Sequence, residues 1–301
     1  MTRPRLLVVA HDAGSAEIVS AWLRRERDQW APELVLDGPA TPIFERKLGP
    51  EIPRLAQVPP PHGFTFVLCG SSGTSPLERR TVRAARGAGV RCAVWLDHWT
   101  NFPERFTLQG ELVLPDEVWV ADAEAEKLAR AQLPQADVRL KGNPYLEDFV
   151  TEVRASEPAE MARSAPGDGE RILYVTEPTS VAAERVTGDP RGWGYTEREA
   201  LAGYLAKLGR RVERRVRLRL RTHPAEPAGK YDDLLAAVNG VTLDRAPGAS
   251  LAQDIAWAQT VVGCETMAMV AALAAGRRVL SALPAGSLPS SIPLSGIGRL
   301  D

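Results

Sequence analysis

Short apolar runs alternate with longer amphipathic segments from one end of the chain to the other, and this alternation limits the fold more than any other feature. A buried strand followed by a helix that returns to the same sheet is the βαβ unit of a mainly parallel sheet. The pattern predicts strands at 6–10, 34–36, 65–69, 92–96, 117–120 and 138–140, with helices at 16–27, 77–88 and near 124–132. A second series predicts strands at 171–175, 216–221, 241–243, 260–262 and 278–280, with helices at 196–211, 231–238, 251–258 and 266–275. Between them, 156–169 is rich in turn formers and charge. The expected division is a first domain over 1–150, a linker over 151–169 and a second domain over 170–301. A length of 301 residues gives each domain an independent core. The expected fold class is α/β, with two Rossmann-like, doubly wound domains facing a central cleft. Ligands of such sheets bind where strands end and helices begin.

Composition excludes several classes. Hydrophobic content of 44% and charged content of 25% exclude a disordered or fibrous chain. A net charge of −1 gives no overall attraction to nucleic acid or an anionic membrane. Cys69, Cys92 and Cys264 are odd in number and lack CxxC spacing, so neither a disulfide framework nor a zinc site is expected. The apolar run at 6–10 is too short for a signal segment, and no stretch reaches the ~20 apolar residues of a membrane span. A cytoplasmic setting is expected.

In the first domain, His11-Asp12-Ala13-Gly14-Ser15 joins the first strand to its helix. Gly14 permits close backbone approach, Ser15 can cap the helix, and His11 beside Asp12 is a candidate general base. In the plainer reading Asp12 and Ser15 are helix caps and His11 fills a turn. Ser71, Ser72 and Thr74 lie in a second loop rich in glycine and hydroxyls, where amides can form an anion nest and Ser75 with Glu78 a capping box. The segment Asp97-His98-Trp99-Thr100-Asn101, continuing to Arg105, crowds aromatic and polar groups after a strand. There Trp99 can stack on a sugar or base, Asp97 or His98 can accept a hydroxyl proton, and Asn101 and Arg105 can bind substrate. Gly142-Asn143-Pro144-Tyr145 reads as the turn into the linker.

In the second domain, Thr179 and Ser180 follow the first strand and can meet phosphate oxygens. Arg221-Thr222-His223-Pro224 ends the basic run 210–221, where Pro224 fixes the turn and His223 can donate to a departing phosphate. Gly263-Cys264-Glu265-Thr266 supplies a tight turn, a carboxylate suited to ribose hydroxyls and a hydroxyl at a helix start.

Together these features resemble the GT-B glycosyltransferase superfamily, in which two Rossmann-like domains face each other and the C-terminal one holds the nucleotide sugar. His223-Pro224 followed by Thr266 is similar to the HP and Ser/Thr motifs of bacterial sialyltransferases and polysialyltransferases. By that resemblance His223 and Thr266 would act on the phosphate of a CMP-sugar. Thr222-His223-Pro224-Ala225-Glu226 and Gly263-Cys264-Glu265 also look like elements of UDP-N-acetylglucosamine 2-epimerases. The acidic motif that supplies the base in the sialyltransferases has only Leu36-Asp37-Gly38 as a partial match, leaving Asp12, His11 and Asp97 as alternatives.

The resemblance implies a bacterial polysaccharide-building transferase that moves a sugar from a CMP-sugar, or a UDP-sugar, to a hydroxyl of a glycan or small-molecule acceptor. No metal site and no cofactor are expected, and a homodimer is one assembly left open. The alternatives are a nucleotide-sugar 2-epimerase or hydrolase, and a non-catalytic nucleotide-sugar or glycan-binding protein.

Overall fold

The structure is a computed structural model that describes residues 2–157, 169–209, 215–244 and 248–300. The chain divides into two compact units, Met1–Asp148 and Phe149–Asp301. Each contains one six-stranded sheet in which every pairing is parallel.

The first unit runs β1 (Arg5–Ala10), α1 (Ala13–Glu26), β2 (Ala31–Leu36), α2 (Ala40–Leu48), β3 (Phe66–Cys69), α3 (Leu77–Gly87), β4 (Cys92–Leu96) and α4 (Phe102–Phe106). It continues with a small hairpin of β5 (Thr107–Leu108) and β6 (Glu111–Leu112), then β7 (Glu117–Val120), α5 (Ala123–Gln132), β8 (Val138–Leu140) and the start of α6 (Pro144–Ala155). The strand order is β2-β1-β3-β4-β7-β8. Winding therefore reverses between β1 and β3, and the loops after these two strands lie side by side. Central strands of a parallel sheet are covered on both faces, which is why β1 beyond Arg5 and all of β4 are continuously apolar and buried. Trp95 and Trp119 meet edge to face at 5.1 Å in the core beside α1 and α2.

The second unit runs β9 (Glu170–Val175), α7 (Thr179–Thr187), α8 (Glu197–Gly209), β10 (Val216–Arg221), α9 (Asp232–Ala237), β11 (Val241–Leu243), α10 (Leu251–Trp257), β12 (Thr260–Gly263), α11 (Met267–Ala274), β13 (Arg278–Ser281) and β14 (Ile297–Arg299). Its order, β11-β10-β9-β12-β13-β14, is that of dinucleotide-binding sheets, and winding reverses between β9 and β12. Tyr174, Leu201, Tyr204 and Val262 anchor the core between this sheet and α8.

Several elements depart from the sequence reading. Residues 142–145 open a helix and do not turn into a linker: the Asn143 side chain accepts the Leu146 amide at 3.0 Å. The helix α6 then covers 151–155, inside the expected linker, because Leu146, Phe149, Val150 and Val153 recur at helical spacing and Phe149 and Val153 are buried. The rest of that linker, from 158 to 168, lies outside the described residues, as do 210–214, where the expected end of α8 and the start of the basic run fall. Pro42 hides α2 from propensity arguments, but it occupies the first turn, where proline leaves no hydrogen bond unmade. Among the described residues no helix is long and apolar enough to cross a membrane.

Candidate active site

In the first unit the two loops at the reversal point are tied together by Asp12. Its Oδ1 lies 2.6 Å from His11 Nδ1 and accepts the Thr74 hydroxyl at 2.9 Å, while its Oδ2 accepts the Gly73 amide at 3.0 Å. Burial pushes the Asp12 carboxyl up, but hydrogen bonds from His11, Ser72, Thr74 and the Gly73 amide outweigh it and hold the group below its ordinary value. An ionised Asp12 can only accept, so Nδ1 of His11 carries the hydrogen, and in the neutral ring Nε2 is the nitrogen with the lone pair. The ring packs against Gly38, where a Cβ would come within 2.7 Å of Nε2, so any side chain at 38 would displace the imidazole. Gly38 of Leu36-Asp37-Gly38 thus bounds the histidine ring, while Asp37 is exposed and accepts the Gly38 amide at 2.8 Å.

Asp97 forms a neighbouring cluster. Its Oδ1 accepts Ser71 Oγ at 2.8 Å and Arg105 Nη1 at 3.0 Å, and the same guanidinium reaches Ser71 Oγ at 3.0 Å. Gly14 lies directly on Oδ2, where a Cβ would stand at 2.1 Å, so the close approach expected of this glycine is made to Asp97. His98 Nδ1 is 3.2 Å from Thr100 Oγ1, and Asn101 is exposed in a left-handed conformation with φ of 57° at the start of α4.

Some expected roles in this unit need correction. Trp99 is buried and its indole N–H donates to Asp122 at 3.0 Å, so its ring is packed and offers no stacking platform. Ser15 is buried and donates to the Asp12 carbonyl at 3.2 Å; it lies inside α1 and does not cap it. Ser71 and Ser72 are buried as well, and Ser72 Oγ accepts the Thr74 and Ser75 amides at 3.1 and 2.8 Å. These hydroxyls shape the loop from within. The expected Ser75–Glu78 capping box does not form, since Glu78 Oε1 instead accepts the His11 amide at 2.8 Å. Burial drives this carboxyl up to about 7, opposed by amide hydrogen bonds and reinforced by Asp12.

In the second unit the reversal point is bridged in a similar way. Glu177, just beyond β9, accepts the Glu265 amide beyond β12 at 2.7 Å. Burial raises it to about 7 against that hydrogen bond, with Glu265, Glu197 and Glu226 adding to the rise. Glu265 in turn accepts the Ser291 amide at 2.5 Å. Thr266 caps α11, its hydroxyl accepting the Ala268 amide at 3.3 Å. Cys264 is buried, and its thiol is pushed up to about 12 by that burial with Glu177 contributing, which leaves it inert.

His223 and Pro224 stand exposed after β10. His223 Nδ1 accepts the Ala225 amide at 3.1 Å, which directs the other ring nitrogen outward as a donor. Beneath it the His223 amide donates to Glu226 Oε2 at 3.0 Å, and Glu226 also receives the Thr176 and Tyr231 hydroxyls. Lys230 joins Glu226, at 2.9 Å, to Glu197, which takes the Ser180 amide and hydroxyl, each at 2.7 Å. Ser180 is therefore engaged by a carboxylate, and Thr179 is buried at the first residue of α7. Sequence reasoning missed Glu78, Glu177, Glu197, Glu226 and Lys230 as members of these clusters. Glu226 and Lys230 at i, i+4 were the one visible signal.

Among the described residues no group of three or more His, Cys, Asp or Glu side chains is placed to hold a metal. The sequence matches no family model and no curated protein. Solved structures are matched over both sheets. UDP-GlcNAc 2-epimerase of Neisseria meningitidis, bound to UDP-GlcNAc, aligns over 92% of this chain and 82% of its own, with a TM-score of 0.58 at 12% identity. MurG of Acinetobacter baumannii aligns over 92% and 78%, with a TM-score of 0.59 at 11% identity. These are GT-B enzymes. The chain has the GT-B fold. HepE of Anabaena, in complex with UDP, belongs to the same set of likenesses, covering 92% of this chain and 80% of its own with a TM-score of 0.56 at 13% identity. At such identities a GT-B likeness fixes architecture, and activity has to be argued from side chains.

Proposed function

We propose that this GT-B protein is a glycosyltransferase that moves a sugar from a nucleotide-activated donor to an acceptor hydroxyl without a metal ion. The first unit would bind the acceptor and the second the donor. The observation that carries the reading is the His11–Asp12 pair at the reversal point of the first sheet, with Nδ1 held by a carboxylate and Nε2 left as a base.

In this mechanism Nε2 of His11 takes the proton of the acceptor hydroxyl while its oxygen attacks the anomeric carbon. The carbon–oxygen bond to phosphate breaks, and the nucleotide leaves with that electron pair. Negative charge growing on the phosphate would be met by the outward N–H of His223 and by the N-terminal amides of α11 next to Thr266. Glu265 would take ribose hydroxyls. Asp97, Arg105 and Asn101 would position the acceptor, with the Asp97 carboxylate held in place by Ser71 and Arg105. The likeness to enzymes that bind UDP and UDP-GlcNAc supports a nucleotide-sugar donor, with a UDP-sugar now standing level with the CMP-sugar suggested by the HP motif.

Calorimetric titration with CMP, UDP and UDP-GlcNAc, run on the wild type, His223→Ala and His11→Gln, tests the assignment. The expected result is binding of one nucleotide class, weakened about tenfold or more in His223→Ala and unchanged in His11→Gln. Equal losses in both variants would overturn the division of roles. Turnover of UDP-GlcNAc with no acceptor present would replace the transferase with an epimerase or hydrolase.

A further inference from the structure

Among the described residues Glu78 is the one buried carboxyl that touches the proposed base without being part of it. It sits in the first turn of α3, is 3% exposed, and grips the His11 main chain through Oε1. Its second oxygen, Oε2, is buried with no hydrogen-bond partner among the described residues. The groups facing it are few. His11 and Asp12 approach from the loop after β1, and Cys69 from the end of β3, a thiol that burial keeps neutral. The Glu78 amide itself turns toward the carboxyl. From β1, the charged residue Arg5 is at the far end and paired with Glu33, and β4 (Cys92–Leu96) carries no charged side chain.

The two carboxyls on His11 therefore live in different surroundings. Asp12 receives donors on both oxygens, whereas Glu78 has a buried oxygen with none. A carboxylate in the second situation is the costly case, and a proton on the unpartnered oxygen removes the charge. Environments that push two neighbouring acids apart assign them different protonation states. We propose that Glu78 is a positioning residue of the His11–Asp12 dyad, holding the His11 backbone with Oε1 and a proton on Oε2, so that a neutral acid lies beneath the charged one.

The neutral form spares Asp12 a like charge and keeps the loop after β1 seated on α3. Loss of the proton places a second negative charge beside His11, which favours the imidazolium over the ring with a free Nε2 lone pair. This inference takes its functional meaning from the reading of His11 as the base, but its physical content is testable without any substrate. Infrared difference spectra of the full chain across a pH series report protonated carboxyls by their C=O stretch, and imidazole NMR of labelled histidine reports the neighbourhood of His11.

The wild type is expected to show a protonated-carboxyl band that titrates at about 7, to which Glu78 and Glu177 both contribute, and that loses the Glu78 share of its intensity in Glu78→Gln, together with a second inflection in the His11 resonance that disappears in the same variant. Glu177→Gln serves as the control, since it removes another carboxyl raised to about 7 while leaving the His11 inflection in place. Should Glu78→Gln fail to fold, the Glu177→Gln protein supplies the test, because its remaining band and the His11 inflection must then share one midpoint. A band unchanged by Glu78→Gln, or a His11 resonance with a single inflection in the wild type, would overturn the proposal. A failure of the base assignment would look different: His11→Gln would retain transfer activity while the Glu78 band stayed.

Discussion

At the residue scale, the reversal points are held by side chains whose hydrogen bonds are spent on backbone amides of a neighbouring loop. Glu78 and Glu177 are the matched pair, Glu78 joining the start of α3 to the loop after β1 and Glu177 joining the loops after β9 and β12, each raised by burial to about 7. For Glu177 the consequence for stability has a definite sign. Its value in the folded state lies above that of an unfolded glutamate, so the native state binds the proton more tightly and stability falls as pH rises from about 4.5 to about 7. Glu177→Gln is expected to be more resistant to urea than the wild type above that window and to lose the advantage below it, measured as the unfolding midpoint at the two pH values. A wild type that gains stability across the window would contradict the assignment. Neither glutamate was legible as a bridge, because hydrogen bonding across 88 residues, as from Glu265 to Glu177, leaves no mark in local sequence. Asp12 and His11 were legible, since adjacency in sequence already put a carboxylate beside an imidazole. Trp99 was misleading: aromatic and polar crowding is a sign both of a binding surface and of a buried indole with its own acceptor, and the Asp122 partner lies 23 residues away.

At the element scale, two devices hold the second unit's loops in place. Ser250 and Gln253 form a capping box that starts α10. Lys230 links the start of α8, through Glu197, to the loop after β10, through Glu226. The Glu197 and Glu226 side chains are only 4% and 1% exposed, so Lys230→Met would leave two buried carboxylates without their cation. Breaking a buried pair in this way costs about 3–5 kcal/mol. Urea unfolding at neutral pH should show that loss, and calorimetry should show weaker nucleotide binding because the His223 loop rests on Glu226. A variant as stable as the wild type would mean that the cluster is solvated. Hydrophobic periodicity and caps made most strands and helices readable. Short elements such as α2 and β14 were not, because Pro42 and Gly298 suppress the local signal that packing overrides.

At the scale of the whole molecule, the two raised glutamates act together, one in each unit. Thermal unfolding of the wild type should move to lower temperature as pH rises from about 4.5 to about 7, and Glu78→Gln combined with Glu177→Gln should flatten that dependence in both units. A double variant with the wild-type slope would place the titrating groups elsewhere. By itself the sequence determined the class of fold, two series of parallel strands and helices, because burial on both faces of a parallel sheet demands continuous apolar runs and helices of set period. It also placed its candidate residues in the loops after the strands, where the structure carries His11, Asp12, Asp97 and His223. Strand order, the two reversal points and the identity of the buried partners were decided only in three dimensions. Which strand lies beside which depends on packing between residues far apart in the chain, and a carboxyl becomes a bridge or a neutral acid only when folding removes its water and chooses its donors.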